Sequence, residues 1–241
     1  MISHDISNRL GERIDHSFHP GTRSQSLVIL GHGLTGNKDR PLLVALATGL
    51  AERGWPCLRI SYSGNGGSGG RFEDSNITKG VSDLQAVLDH VPKDIKITYA
   101  GHSMGAAVGV LTAARDTRIG ALVSLSGMTH TAEFVAREFG GITPGAGVMW
   151  DEAACPLSQE FVSDLIGIES TLSAVEAVTQ PWLLIHGAAD DVVPPQDGKD
   201  AFDAATSDKC WLEIADAGHT FSDGDYPEII AAMDAWLAKN L

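Results

Sequence analysis

Residues 95–114 read IKITYAGHSMGAAVGVLTAA. A strand-forming run, Ile95–Ala100, ends in a serine flanked by glycines, Gly101-His102-Ser103-Met104-Gly105. A run of small residues, Ala106–Ala114, then reads as a helix. Few local patterns constrain a chain as tightly. The turn must be sharp enough to push the serine hydroxyl off the edge of a sheet, and the glycines leave room for that backbone. The new helix points its first amides at the same spot. Such a serine is poised as a nucleophile.

A serine hydroxyl attacks poorly without a base, and the base needs an acid to orient it. Two later segments offer these groups. Leu184–Pro194 reads LIHGAADDVVP, a strand running into a loop with Asp190 and Asp191. Ala217–Phe221 reads AGHTF and puts His219 in a loop after the last strand. Both loops fall at carboxyl ends of predicted strands, where α/β sheets carry their sites. Attack on a carbonyl also creates an oxyanion that needs fixed N–H donors. The Met104 amide, directly after the serine, is one expected donor. The Leu34 amide, in the turn Gly31-His32-Gly33-Leu34-Thr35-Gly36, is the other. His32 is expected to brace that turn, and His102 and His186 to adjoin the site without acting in it. A histidine base must be neutral to work, so the rate should rise with pH.

The rest of the chain alternates between strand-like and helix-like runs, which predicts a layered α/β domain with a mainly parallel sheet. A short hairpin is expected over about residues 5–18, turning near Leu10–Gly11. Expected strands are Ser26–Leu30, Cys57–Tyr62, Ala121–Ser126, Trp182–Ile185 and Cys210–Ile214. Expected helices are Asn37–Arg53, Thr78–His90, Pro195–Ala205 and Tyr226–Ala238. The rhythm breaks over residues 128–178, where Gly140, Gly141, Pro144, Gly145, Gly147 and Pro156 separate short apolar patches. That stretch reads as a small lid-like insertion. Residues 1–127 and 179–241 then form one core domain. Phe134, Phe139, Trp150 and Phe161 are either a small core of the insertion or the lining of a pocket.

Of the 241 residues, 17 are Lys or Arg and 31 are Asp or Glu, a formal charge of −14. Nucleic acid and anionic membranes are therefore unexpected partners. No apolar run approaches the ~20 residues that span a bilayer. The polar start MISHDISNRLGER does not resemble a secretory signal, so the cytoplasm is the default expectation. Three cysteines make no disulfide framework or metal spacing, and Cys57 and Cys210 read as small buried hydrophobes. Gly64-Asn65-Gly66-Gly67-Ser68-Gly69 has dinucleotide-loop spacing but opens no helix at once. His16 and His19 would face opposite sides of a strand. No cofactor or metal is expected.

Taken together, HGLTGNKDRP, RISYSGNGGSGGRFED, GHSMG, HGAADDVVP and AGHTF resemble the α/β-hydrolase superfamily. The likeness is to serine esterases that include feruloyl (cinnamoyl) esterases and monoacylglycerol lipase-like hydrolases. It covers nearly the whole chain and is weakest over residues 128–178. It implies an α/β-hydrolase fold with a Ser103, Asp190, His219 triad, the first of the two adjacent acids being the partner. It further implies a carboxylic ester hydrolase acting through an acyl-enzyme on a small-molecule ester. Short acyl or aryl-acrylate esters are expected to be preferred over long lipids, since the insertion suits a compact lid. A hydrogen bond to a phenolic hydroxyl would have to come from groups such as Asp151, Ser158 or Gln159, since the three tyrosines lie outside the insertion. The usual DF-x-G-x-G loop of the family is here Ser61-Tyr62-Ser63-Gly64-Asn65-Gly66, without its aspartate. Acyl transfer, peptide or carbon–carbon bond cleavage, and a non-catalytic ligand-binding role remain alternatives.

Overall fold

A computed structural model describes residues 5–241. The first four residues of the polar start lie outside the described residues. Seven strands form one sheet: β1 (His16–His19), β2 (Ser26–Gly31), β3 (Cys57–Ile60), β4 (Lys96–His102), β5 (Ile119–Leu125), β6 (Trp182–Gly187) and β7 (Lys209–Ile214). Their order is β1-β3-β2-β4-β5-β6-β7. β1 pairs antiparallel with β3, and every other pairing is parallel. The helices are α1 (Pro41–Glu52), α2 (Ile77–Asp89), α3 (Met104–Ala113), α4 (Thr131–Phe139), α5 (Gln159–Ile168), α6 (Leu172–Val175), α7 (Pro195–Ala204) and α8 (Tyr226–Asn240).

The inner strands are mostly apolar because both faces of the sheet are covered. On β2, Val28 and Leu30 pack with Leu43, Leu46, Ile229 and Met233 of α1 and α8. Leu27 and Ile29 face the opposite layer, with Leu84 and Val87 of α2 and Val108 of α3. The expected hairpin is present, bridged at Ser7 and Arg13, with Gly11 at φ +76°. Helix α1 starts at Pro41, not Asn37. Proline's fixed φ suits the first helical position, and its ring disfavours helical backbone at Arg40, which sits at ψ 137°.

One cysteine reading is overturned. Cys57 is buried on β3, and so is Cys155, but Cys210 is exposed. β7 is an edge strand with most residues only partly covered, so an apolar neighbourhood in sequence did not bring burial there. The glycine-rich loop after β3 closes on itself, with the Gly64 amide donating to the Gly69 carbonyl at 2.7 Å. It runs on into a short 3₁₀ turn at Phe72–Asp74. Buried Asp83 of α2 anchors its start, accepting from the Ser63 amide and hydroxyl.

Segment 128–178 holds α4, α5, α6 and a 3₁₀ turn at Met149–Asp151. Phe134, Phe139, Phe161 and Leu165 belong to the same apolar cluster as Ile29 and Leu122 of the sheet. Phe134, Phe139 and Phe161 are thus core residues, stacked edge to face. Among the described residues no helix is long and apolar enough to cross a membrane.

Candidate active site

The strand order reverses between β2 and β4, and the crevice beyond their carboxyl ends is the position that open α/β sheets reserve for ligands. β4 ends at His102, and Ser103 follows at φ 54°, ψ −117° before α3 begins. That backbone is strained for a residue with a side chain, and it persists because the surroundings hold it. The Ser103 amide donates to the Leu125 carbonyl at 2.9 Å. A Cβ on Gly101 would lie 2.3 Å from the Gly105 backbone, and one on Gly105 would lie 2.7 Å from the His32 carbonyl oxygen. Both positions admit only glycine. The buried Tyr99 hydroxyl donates to the Gly105 carbonyl at 2.9 Å and is itself bonded to the Tyr62 hydroxyl.

His219 lies in the loop after β7, and its Nε2 is 3.0 Å from Ser103 Oγ. Its Nδ1 is 2.9 Å from Asp190 Oδ2 in the loop after β6. The two loops are joined by the Ala189 amide donating to the Ala217 carbonyl at 2.9 Å. With Nδ1–H donating to Asp190, Nε2 of the neutral ring is free to accept the serine proton. The Asp190 side chain has no exposed area. Its Oδ1 accepts from the Val192 and Val193 amides at 3.1 and 2.9 Å. Burial opposes its ionisation, but hydrogen bonds from His186, His219 and the Val193 amide outweigh that and hold the carboxyl far below the usual carboxylate range. Asp191 is exposed.

The three neighbouring histidines each brace part of the site. His32 Nδ1–H donates to the Gly33 carbonyl at 2.7 Å, and its Nε2 accepts from the Tyr62 amide at 3.0 Å. The Gly33 carbonyl shares a planar peptide with the Leu34 amide, so fixing one aims the other. His102 Nε2–H donates to the His219 carbonyl at 2.8 Å. His186 Nε2–H donates to the Val193 carbonyl at 2.9 Å, behind Asp190. Burial lowers His32 from 6.5 to about 4 and His102 to about 3, so both are neutral.

Ser103, His102, His219 and Leu34 open onto a cavity of about 590 Å³. Met104 is buried at the first turn of α3, one residue past Ser103. Neither the Leu34 nor the Met104 amide is taken by another group among the described residues. Segment 128–178 contributes Trp150 and Glu152 to the cavity wall, and the core contributes Arg40, Asp223 and Tyr226. Trp150 is 39% exposed, with its Nε1–H on Glu138 at 3.0 Å.

The three groups expected to meet a phenol lie elsewhere. Ser158 caps α5 by accepting from the Phe161 amide, Gln159 bonds Ser163, and Asp151 is exposed outside the cavity. Arg40 and Tyr226 had a sequence signal, since each follows a site loop by a few residues. Glu152 had none. Among the described residues no group of three or more His, Cys, Asp or Glu side chains could hold a metal.

Residues 26–154 match the alpha/beta hydrolase fold family. The chain belongs to that family. Est1E from Butyrivibrio proteoclasticus, solved with ferulic acid bound, superposes with a TM-score of 0.85 at 23% identity, covering 99% of each chain. A monoacylglycerol lipase of Mycolicibacterium smegmatis is 23% identical over 99% of this chain and 97% of its own length. An uncharacterised protein of Mycobacterium tuberculosis is 28% identical over 89% of this chain and 70% of its own.

Proposed function

We propose that the protein is a serine hydrolase of carboxylic esters, with Ser103 as nucleophile, His219 as base and Asp190 as the acid that orients it. The observation that carries the reading is the relay from Ser103 Oγ through His219 to Asp190 at the cavity wall, at 3.0 and 2.9 Å. His219 Nε2 takes the Ser103 proton as Oγ bonds to the ester carbon. The oxyanion rests on the Leu34 and Met104 amides. The carbonyl re-forms, and the His219 Nε2–H proton passes to the departing alkoxide, releasing the alcohol. Water then attacks the acyl-enzyme, giving its proton to His219, and Ser103 leaves with that proton restored. Asp190 stays ionised and stabilises the imidazolium formed twice per cycle. The steps need no cofactor.

In this proposal segment 128–178 is the lid, and it selects substrate through Trp150 and Glu152. Arg40, Glu152 and Asp223 line the cavity beside a larger apolar share of wall that includes Leu34, Leu42, Leu43, Val192 and Phe221. Short acyl and aryl-acrylate esters leave those three charged groups hydrated, and on that ground they are expected ahead of palmitoyl esters. The acidic surface argues against nucleic-acid substrates, and the three free cysteines suit a reducing compartment such as the cytoplasm.

The test is kcat/KM for methyl ferulate, methyl cinnamate and p-nitrophenyl acetate through palmitate, beside matched amides and β-diketones. The proposal expects esters to lead, short before long, and Ser103→Ala to lose on the order of 10⁴-fold. Turnover of amides or diketones ahead of every ester would replace the ester reading.

A further inference from the structure

We propose that His102 is a positioning residue for the base, holding the backbone of His219 while Ser103 is acylated. The inference rests on the ester-hydrolase reading above. Among the described residues, two side-chain hydrogen bonds join the serine turn to the 217–221 loop. One is Ser103 Oγ to His219 Nε2, and the other is His102 Nε2–H to the His219 carbonyl at 2.8 Å. They are not equivalent during turnover. Once Ser103 Oγ carries the acyl group it has no proton to give, and the first link is lost. Asp190 still orients the ring through Nδ1. The His102 bond alone then ties the backbone of the base to the strand that carries the acyl-serine.

His102 suits that task. It is the last residue of β4, so its backbone sits in the sheet ladder opposite Leu125. Its ring is buried against Gly33, where a Cβ would come 3.1 Å from His102 Nδ1. The ring centroid lies 4.9 Å from that of His219. Burial and the neighbouring His219 both disfavour a proton on His102, so the imidazolium that forms at His219 meets a neutral ring. The geometry predicts that deacylation, when the serine link is absent, suffers more than acylation if this donor is removed.

The experiment compares His102→Gln with His102→Met. The two side chains are close in size, and only glutamine carries an N–H near the Nε2 position. Pre-steady-state hydrolysis of p-nitrophenyl acetate separates acylation from deacylation. His102→Met should slow deacylation about ten- to a hundredfold, with acylation affected less, because a small misplacement of a catalytic group costs that much. His102→Gln should recover most of the loss. The low-field proton signal of the His219–Asp190 hydrogen bond should broaden in His102→Met and persist in His102→Gln. Equal deacylation rates and equal proton signals in the two variants would overturn the proposal. If the unmodified protein turned over no ester, the ester reading would fall, and the proton signals would still decide the role of His102.

Discussion

Asp190 and Asp191 share a loop, but one side chain is buried under two backbone amides and two imidazoles and the other faces water. Asp190→Asn should therefore cost about 10³- to 10⁴-fold in kcat, because the amide favours the wrong His219 tautomer. Asp191→Asn should change kcat/KM by less than about threefold, because its carboxylate faces water and His219 bonds Asp190 instead. Steady-state kinetics on both variants check the pair, and a reversed order would move the assignment by one residue. Tyr99 gives a stability prediction at the same scale. Tyr99→Phe strips the buried Tyr62 hydroxyl of its partner and should cost about 1–3 kcal/mol in urea unfolding. An unchanged midpoint would contradict it. The approach of Ser103, Asp190 and His219 was legible in the sequence because each group follows the carboxyl end of a strand. Parallel strands deliver their carboxyl ends to one edge. The bracing by His32, His102 and His186 was legible only as adjacency, since the carbonyls they hold belong to loops with no periodic pattern.

Segment 128–178 is tied to the rest of the chain at several points. Asp197 of α7 accepts from the Thr129 and His130 amides, and His130 Nε2 lies 2.8 Å from Asp200. Arg137 of α4 donates to the Val192 carbonyl, in the loop that carries Asp190, at 2.7 Å. Two of its aromatic residues should respond oppositely to truncation. Phe139 is buried among Phe134, Trp150 and Phe161, so Phe139→Ala should cost about 3–5 kcal/mol of stability. Trp150→Ala should cost far less and instead change the ratio of kcat/KM between aryl-acrylate and acetyl esters. A large stability loss with an unchanged ratio would make Trp150 a packing residue. Helices in this segment escaped a clear reading because each is short and the glycines and prolines from Gly140 to Pro156 separate α4 from α5, which breaks the longer rhythm. The core elements were read to within a few residues, since both-face burial writes continuous apolar strands and one-sided helices into the chain. Cys210 failed for a related reason: position at the edge of a sheet is a property of strand order, which apolar content does not encode.

For the whole molecule, buried neutral histidines make stability depend on pH. His32 is lowered from 6.5 to about 4 and His102 to about 3, both chiefly by burial. Between roughly pH 6.5 and 4 the unfolded chain binds protons that the folded chain refuses. Their contribution is fully present above about pH 6.5, shrinks as pH falls through that window, and levels off below the folded values. The loss is on the order of a few kcal/mol per histidine. Asp190, held low by its partners, adds a further loss below the ordinary carboxylate range. Urea midpoints at pH 7, 5.5 and 4 should fall in that order, and His32→Gln should make the slope shallower. A midpoint independent of pH would refute the burial argument. The proposed chemistry turns on one activated serine, Ser103. Treating the intact folded protein with a fluorophosphonate and locating the adduct by mass spectrometry tests it directly. A single adduct on Ser103 is expected, abolished in Ser103→Ala and strongly slowed in Asp190→Asn. An unlabelled protein, or an adduct on a different residue that survives Ser103→Ala, would contradict it.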